Sequence, residues 1–253
     1  MKLLRVAVRL PAMIFLLLLG LFILFVLFPR WEYARQRLMI KRWSGWLLTS
    51  VGVVPQELQL ADAQTLSTVS GPVLLAANHV SWLDIFVINA IQPAHFVAKS
   101  DIRSWPLVGL LCDRSGTIFV ERSRRTAVRE VLQVMADRLT RQGIVAVFPE
   151  GTTGDMYSLQ PFHSNLLQAA VTSKASIVPL GIAYKKSDGK VADAVQFIGD
   201  TTFVASAIKI MSQPKIIANL IITQTITVTE QTRHELCEVT QQQISQALDA
   251  ARN

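Results

Sequence analysis

The chain has 253 residues, 51% of them hydrophobic, and a formal net charge of +7. This length accommodates one sizeable domain plus an appendage, and two distant cysteines, Cys112 and Cys237, exclude a disulfide framework and fit a reducing compartment. The positive balance suits an anionic membrane surface or a nucleic acid; the basic residues cluster beside an apolar segment and around 122–125, without aromatic interleaving or a nucleic-acid motif, which favours the membrane.

The apolar excess lies near the start. Pro11 to Phe28 carries no charge, and as a helix it would span roughly 27 Å, close to the thickness of a bilayer's hydrocarbon core. Phe28-Pro29-Arg30-Trp31 is too bulky for a signal-peptide cleavage site, and no polar stripe marks a buried core helix. A single membrane helix is expected. Lys2, Arg5 and Arg9 precede it and Arg30, Arg35, Arg37, Lys41 and Arg42 follow it, a bias that puts the rest of the chain on the cytoplasmic side of an inner membrane, single-pass or monotopic. Trp31 and Tyr33 fit a headgroup-level anchor. Arg35 to Leu48 mixes basic and apolar residues, as in an interfacial helix or a helix packed on the domain. Residues 1–50 are therefore assigned to the anchor and 51–253 to a catalytic domain.

Beyond the anchor, strand-like and helix-like runs alternate. Val73 to Ala77 reads as a strand and Ser81 to Ile91 as a helix; His95 to Ala98 and Thr117 to Val120 read as short strands. Arg124 to Arg141 carries apolar residues at Val128, Leu132, Met135 and Leu139 in helical spacing, and Gly143 ends it. Ile144 to Phe148 is a continuous apolar strand, Asn165 to Ser173 a helix, and Ile177 to Tyr184 extended. Lys215 to Thr229 holds one or two strands, and Glu230 to Ala250 forms a polar amphipathic helix. The expected fold is α/β, with a mixed, largely parallel sheet flanked by helices and preceded by the membrane helix.

The first chemical signal follows the strand at 73–77. Asn78-His79-Val80-Ser81-Trp82-Leu83-Asp84 spaces a histidine and a carboxylate five residues apart. A neutral imidazole takes a proton from an alcohol near pH 7, best when a carboxylate holds its other nitrogen protonated and oriented. On spacing alone a structural cap or a satisfied core histidine is the usual reading of such a pair. Three further blocks follow in order: Gly116 to Arg122, Phe148-Pro149-Glu150-Gly151-Thr152-Thr153, and Ile177-Val178-Pro179-Leu180.

From Val73 to Ala183 these four blocks resemble the glycerolipid acyltransferase family. The resemblance implies a membrane-bound transfer of a fatty acyl group from an acyl thioester, carried on coenzyme A or acyl carrier protein, to the hydroxyl of a lysolipid, with lysophosphatidic acid converted to phosphatidic acid as the leading reading. It implies His79 as general base with Asp84 as its partner, Glu150, Gly151 and Thr152 in the acceptor-binding block, and Arg122 and Lys99 on the acceptor phosphate. Lys99 fits an ordinary surface lysine as well. Neither cofactor nor metal is expected. Two departures bear on the acceptor: Thr153 stands where the family often carries arginine, and Phe162-His163-Ser164-Asn165 replaces its Phe-Lys-x-Gly pattern. These are similar to members that acylate lyso-ornithine lipid, which lacks a phosphate and is the alternative acceptor. A silent lipid-binding scaffold and an esterase are the other readings; no Gly-x-Ser-x-Gly elbow supports a serine hydrolase.

Overall fold

The computed structural model describes residues 1–60, 63–105, 107–120 and 125–252, apart from the side chains of 125–128 and 142. Seven strands form one sheet among these residues: β1 (Val53–Gln59), β2 (Val73–Ala77), β3 (His95–Lys99), β4 (Ile118–Val120), β5 (Ile144–Val147), β6 (Ser176–Lys186) and β7 (Ile216–Ile222), in the order β1-β7-β6-β2-β5-β3-β4. Every neighbouring pair is parallel except β6 and β7, so the mixed, largely parallel sheet expected from the alternation is present.

The central strands are continuously apolar because both faces of the sheet are covered. Side chains alternate along a strand, and in β2 Val73, Leu75 and Ala77 enter one core while Leu74 and Ala76 enter the other. The first core is closed by α1 (Lys2–Phe22), α2 (Tyr33–Ser50), α3 (Asp84–Ile91) and α7 (Phe203–Met211), through residues such as Leu17, Leu47, Ile88 and Ile210. The second is closed by α5 (Arg125–Gln142), α6 (Gln168–Ser173) and the start of α8 (Arg233–Arg252), with Met135 and Leu139 of α5 fully buried. The side chain of Val128, expected on this face, lies outside the described residues.

Four elements differ from the sequence reading. β1 contains Pro55 and three polar residues, a composition that hides a strand; it survives because it is an edge strand, where a missing N–H is tolerated. α3 starts at Asp84 rather than Ser81, because Ser81 to Leu83 turn first and the Asp84 N–H donates to the Ser81 carbonyl at 3.1 Å. The short α4 (Val108–Arg114) and α7 were not read as helices.

The N-terminal apolar segment is a helix long and apolar enough to cross a membrane, and it is fastened to the domain at both ends. Arg5 donates to the Ser212 carbonyl at 3.2 Å, and Arg9 to Met211 and Gln213 at 2.9 and 2.7 Å. These carbonyls lie at the C-terminus of α7, where unpaired acceptors and the helix dipole favour a cation. Further along, Trp43 of α2 donates its indole N–H to Leu16 at 2.8 Å and lies over Gly20, where a Cβ would sit 2.9 Å from the ring. The inner face of α1 buries Met13 and Leu17, whereas the outer stripe is bare, with Leu4 69% and Phe15 64% exposed. α2 packs on the domain through the buried Leu47 and Leu48, while Leu38 and Trp46 face outward.

Gly52 lies beneath this attachment at φ +85°, and a Cβ there would fall 2.3 Å from the Arg9 guanidinium. Gly52→Ala is expected to lower stability by about 1–3 kcal/mol through backbone strain and displacement of Arg9. Chemical denaturation measures the loss, and limited proteolysis should cut α1 earlier in the variant.

Candidate active site

Pairing of β2 with β5 sets Ala76 beside Val147. His79 and Glu150 each lie three residues beyond those partners, so the two motif loops leave adjacent strands side by side at their C-terminal ends, where open α/β sheets build sites. Asn78 extends the sheet laterally with its amide: it accepts from the Ile182 N–H at 2.6 Å and donates to the Ile182 carbonyl at 3.1 Å.

The histidine and carboxylate meet. Nδ1 of His79 lies 2.8 Å from Oδ2 of Asp84, which also accepts from the N–H groups of Val80 and Ser81 at 2.7 and 2.9 Å. An ionised carboxylate only accepts, so Nδ1 carries the proton and Nε2 is the basic nitrogen; among the described residues Nε2 takes no hydrogen bond. The imidazole stacks on Phe148, ring centroids 4.0 Å apart. Asp84 is 0% exposed, and its second oxygen, Oδ1, accepts from the Tyr184 hydroxyl at 2.6 Å.

His79 lines a cavity of about 760 Å³ that is walled mainly by apolar side chains. α1 and α2 contribute Met13, Leu17 and Trp43 to its lining, and Trp105, Phe197 and Phe203 line it as well. Trp82 joins this aromatic group, 4.8 Å from Phe203 between centroids, and donates its indole N–H to the buried Ser206 at 3.1 Å. None of these aromatics follows from motif spacing, although Trp82 lies inside the first block.

Gly151 and Thr152 line the cavity, but Glu150 does not. Its Oε1 accepts from the His79 N–H at 2.6 Å and its Oε2 from the Gln160 N–H at 2.9 Å, and the residue is only 5% exposed. The Gly154 N–H donates in turn to the His79 carbonyl at 2.8 Å. The expected contact of Glu150 with acceptor hydroxyls therefore differs from its position, which braces the backbone of the histidine. Lys99 lines the cavity yet is exposed and paired with Asp101 at 2.5 Å. Thr153 gives its hydroxyl to the Phe197 carbonyl. Arg122 lies outside the described residues.

The other candidates have structural partners. His95 bonds the Gly116 carbonyl and the Tyr33 hydroxyl, both at 3.2 Å, and burial pushes its pKa down. Burial raises the thiols of Cys112 and Cys237, the opposite of an activated nucleophile. Among the described residues no group of three metal-ligating side chains converges.

Comparison with known proteins agrees with this geometry. The family model described as Acyltransferase matches residues 55–183, and the lyso-ornithine lipid O-acyltransferase of Pseudomonas aeruginosa is 34% identical over 193 residues, 72% of this chain and 72% of that protein. The chain belongs to the acyltransferase family. The 1-acyl-sn-glycerol-3-phosphate acyltransferase of Neisseria gonorrhoeae is 38% identical over 118 residues, a match that covers 47% of this chain and 46% of that protein. The fold is that of the crystal structure of the 1-acyl-sn-glycerophosphate (LPA) acyltransferase PlsC from Thermotoga maritima, with a TM-score of 0.64 and 18% identity over 99% of this chain and 97% of that one. In this acyltransferase the matched segment ends at residue 183, so Phe197, Phe203 and α7, which form one wall of the cavity, lie beyond it.

Burial, the largest influence, pushes the Glu150 carboxyl above its ordinary value, although the His79 and Gln160 N–H groups oppose the rise. The folded enzyme then holds this proton more tightly than the unfolded chain does. The resulting stability is fully present below the ordinary Glu range and is lost as pH rises through the elevated value. Glu150→Gln turns an amide N–H₂ toward a backbone donor and should lower the melting temperature overall. The gap between wild type and variant should narrow as pH rises from about 4 to 7, which paired thermal melts across that range measure.

Proposed function

We propose that this acyltransferase moves a fatty acyl group from an acyl thioester to the free hydroxyl of a lysolipid, with His79 as general base. The observation that carries the reading is an imidazole held by a buried carboxylate, its Nε2 unpaired, on the wall of a large apolar cavity. Nε2 takes the hydroxyl proton as the oxygen attacks the thioester carbonyl. When the carbon–sulfur bond breaks, the imidazolium returns that proton to the departing thiolate. Alcohol and thioester become ester and thiol, no acyl-enzyme is formed, and Asp84 keeps Nδ1 protonated throughout. The donor is acyl-CoA or an acylated carrier protein, and the chemistry calls for no resident cofactor. An apolar lining suits a fatty chain and keeps water from hydrolysing the thioester.

Lysophosphatidic acid is the acceptor that the motif order implies, and the Neisseria relative bears that activity in its name. A second reading, lyso-ornithine lipid, is favoured by two commitments at the expected phosphate position: Lys99 is paired with Asp101, and Thr153, in place of arginine, spends its hydroxyl on Phe197. The Pseudomonas relative carries that name. Both readings share one reaction, and membranes bearing the enzyme, supplied with each acceptor and one labelled acyl-CoA, separate them. Turnover of lyso-ornithine lipid alone overturns the first; turnover of lysophosphatidic acid alone overturns the second.

The site is proposed to work at the cytoplasmic face of the inner membrane. Because Arg5 and Arg9 bond α7 while the far end of α1 packs on α2, the helix runs along the domain instead of away from it. That supports a monotopic embedding in one leaflet, with the bare stripe of α1 in the acyl region. His79→Ala should reduce kcat by at least about 10²-fold, the lower end of general-base assistance, with the fold and membrane association retained. Undiminished turnover in the variant excludes the assignment.

A further inference from the structure

Asp84 is a buried carboxylate whose only partner among the described ion pairs is His79. Three donors converge on Oδ2: the His79 ring and the N–H groups of Val80 and Ser81. Among the described residues Oδ1 has a single donor, the Tyr184 hydroxyl at 2.6 Å, delivered by β6 from 100 residues further along the chain. Tyr184 is itself 1% exposed and makes no other side-chain hydrogen bond among the described residues. The contact is therefore exclusive on both sides.

We propose that Tyr184 is a positioning residue for the acyl transfer, holding the Asp84 carboxylate turned so that Oδ2 faces the His79 ring. This rests on the reading of His79 as general base. The titratable groups that surround Asp84 are His79, Glu150 and Tyr184. Burial, followed by the charge of Asp84, pushes the Tyr184 phenol well above its ordinary value. The hydroxyl thus remains a donor throughout the range in which the enzyme works, and the carboxylate remains an acceptor.

Two consequences follow from removing that donor. The carboxylate loses one of the contacts that fix its rotation, so the imidazole is less often in register with the substrate hydroxyl and kcat falls. Negative charge formerly shared with the phenol also concentrates on Oδ2, beside the imidazole. This second change moves the loss of activity on the acid side to higher pH.

Tyr184→Phe keeps the ring and its packing while deleting the hydroxyl. In the full-length enzyme, with acyl-CoA and lysolipid in detergent micelles, kcat should fall about tenfold with KM for the acceptor unchanged. The acid limb of kcat/KM should move up by about half a pH unit or more. Replacing Tyr184 by 3-fluorotyrosine, a stronger donor, should move the limb the other way. NMR titration of the His79 ring provides a readout independent of turnover and should follow the same two directions. An unmoved acid limb and ring titration in a folded, active Tyr184→Phe enzyme overturns the proposal, as does a fall confined to thermal stability. If the wild-type enzyme turns over neither acceptor, the proposed function fails instead, and the ring titration still decides the role of Tyr184.

Discussion

A negative charge buried without a cation is the constraint on which the site depends. Moving a carboxylate into a protein interior costs several kcal/mol even after relaxation, and for Asp84 the offset comes from oriented donors. Two backbone N–H groups, a ring N–H and a phenol surround it at 2.6–2.9 Å, and it occupies the first position of α3, where the helix dipole favours an anion. Because Val80 and Ser81 must both reach one oxygen, the chain from His79 to Asp84 has little freedom. The arrangement that makes the charge tolerable also holds the His79 imidazole in place, a pre-organisation that leaves little freedom to be lost.

This turn is positioned by strand register. Ala76 beside Val147 sets the histidine loop against the Phe148-to-Thr153 loop, and the Glu150 carboxylate ties them together through the His79 N–H. A one-residue slip would send every side chain of β2 to the other face of the sheet. The two cores oppose such a slip, since Leu75 and Leu74 are fully buried in opposite layers. α5 and the start of α8 thus contribute to the site through the second core, by fixing which residues of the central strands face each way.

What could be read from the sequence is what is local to it. The strand at 73–77, the His79–Asp84 spacing and the helix at 125–142 each rest on residues a few positions apart, and the four blocks identify a chemistry whose parts recur in order. The surroundings of Glu150 and Tyr184 depend on which strands pair, so nothing in the spacing indicated that Glu150 turns from the cavity or that Tyr184, 100 residues away, closes on Asp84. β1 escaped because Pro55 argues against a central strand and the sequence does not reveal an edge. The apolar segment was evident by composition, yet its attachment was not: Arg5 and Arg9 looked like flanking charges, and only the fold brings the α7 carbonyls to them.

That attachment explains how a proton-transfer site can serve a water-insoluble substrate. α1 gives its inner face, Met13, Leu17 and Gly20, to the cavity and leaves its outer stripe bare. The reaction space and the helix's outer surroundings are therefore separated by one helix diameter, about 10 Å. With lipid on the outer side, an acyl chain entering the cavity exchanges one apolar environment for another, and avoids a transfer through water that would cost about 0.8 kcal/mol for each methylene. The helix has to stay closed against the domain for the cavity to remain dry, and a helix bathed in lipid has no hydrophobic drive to do so on its bare side. Polar attachments supply the closure instead: guanidinium groups on helix-terminal carbonyls near one end and the Trp43 indole on Leu16 further along, bonds that gain strength where water is scarce.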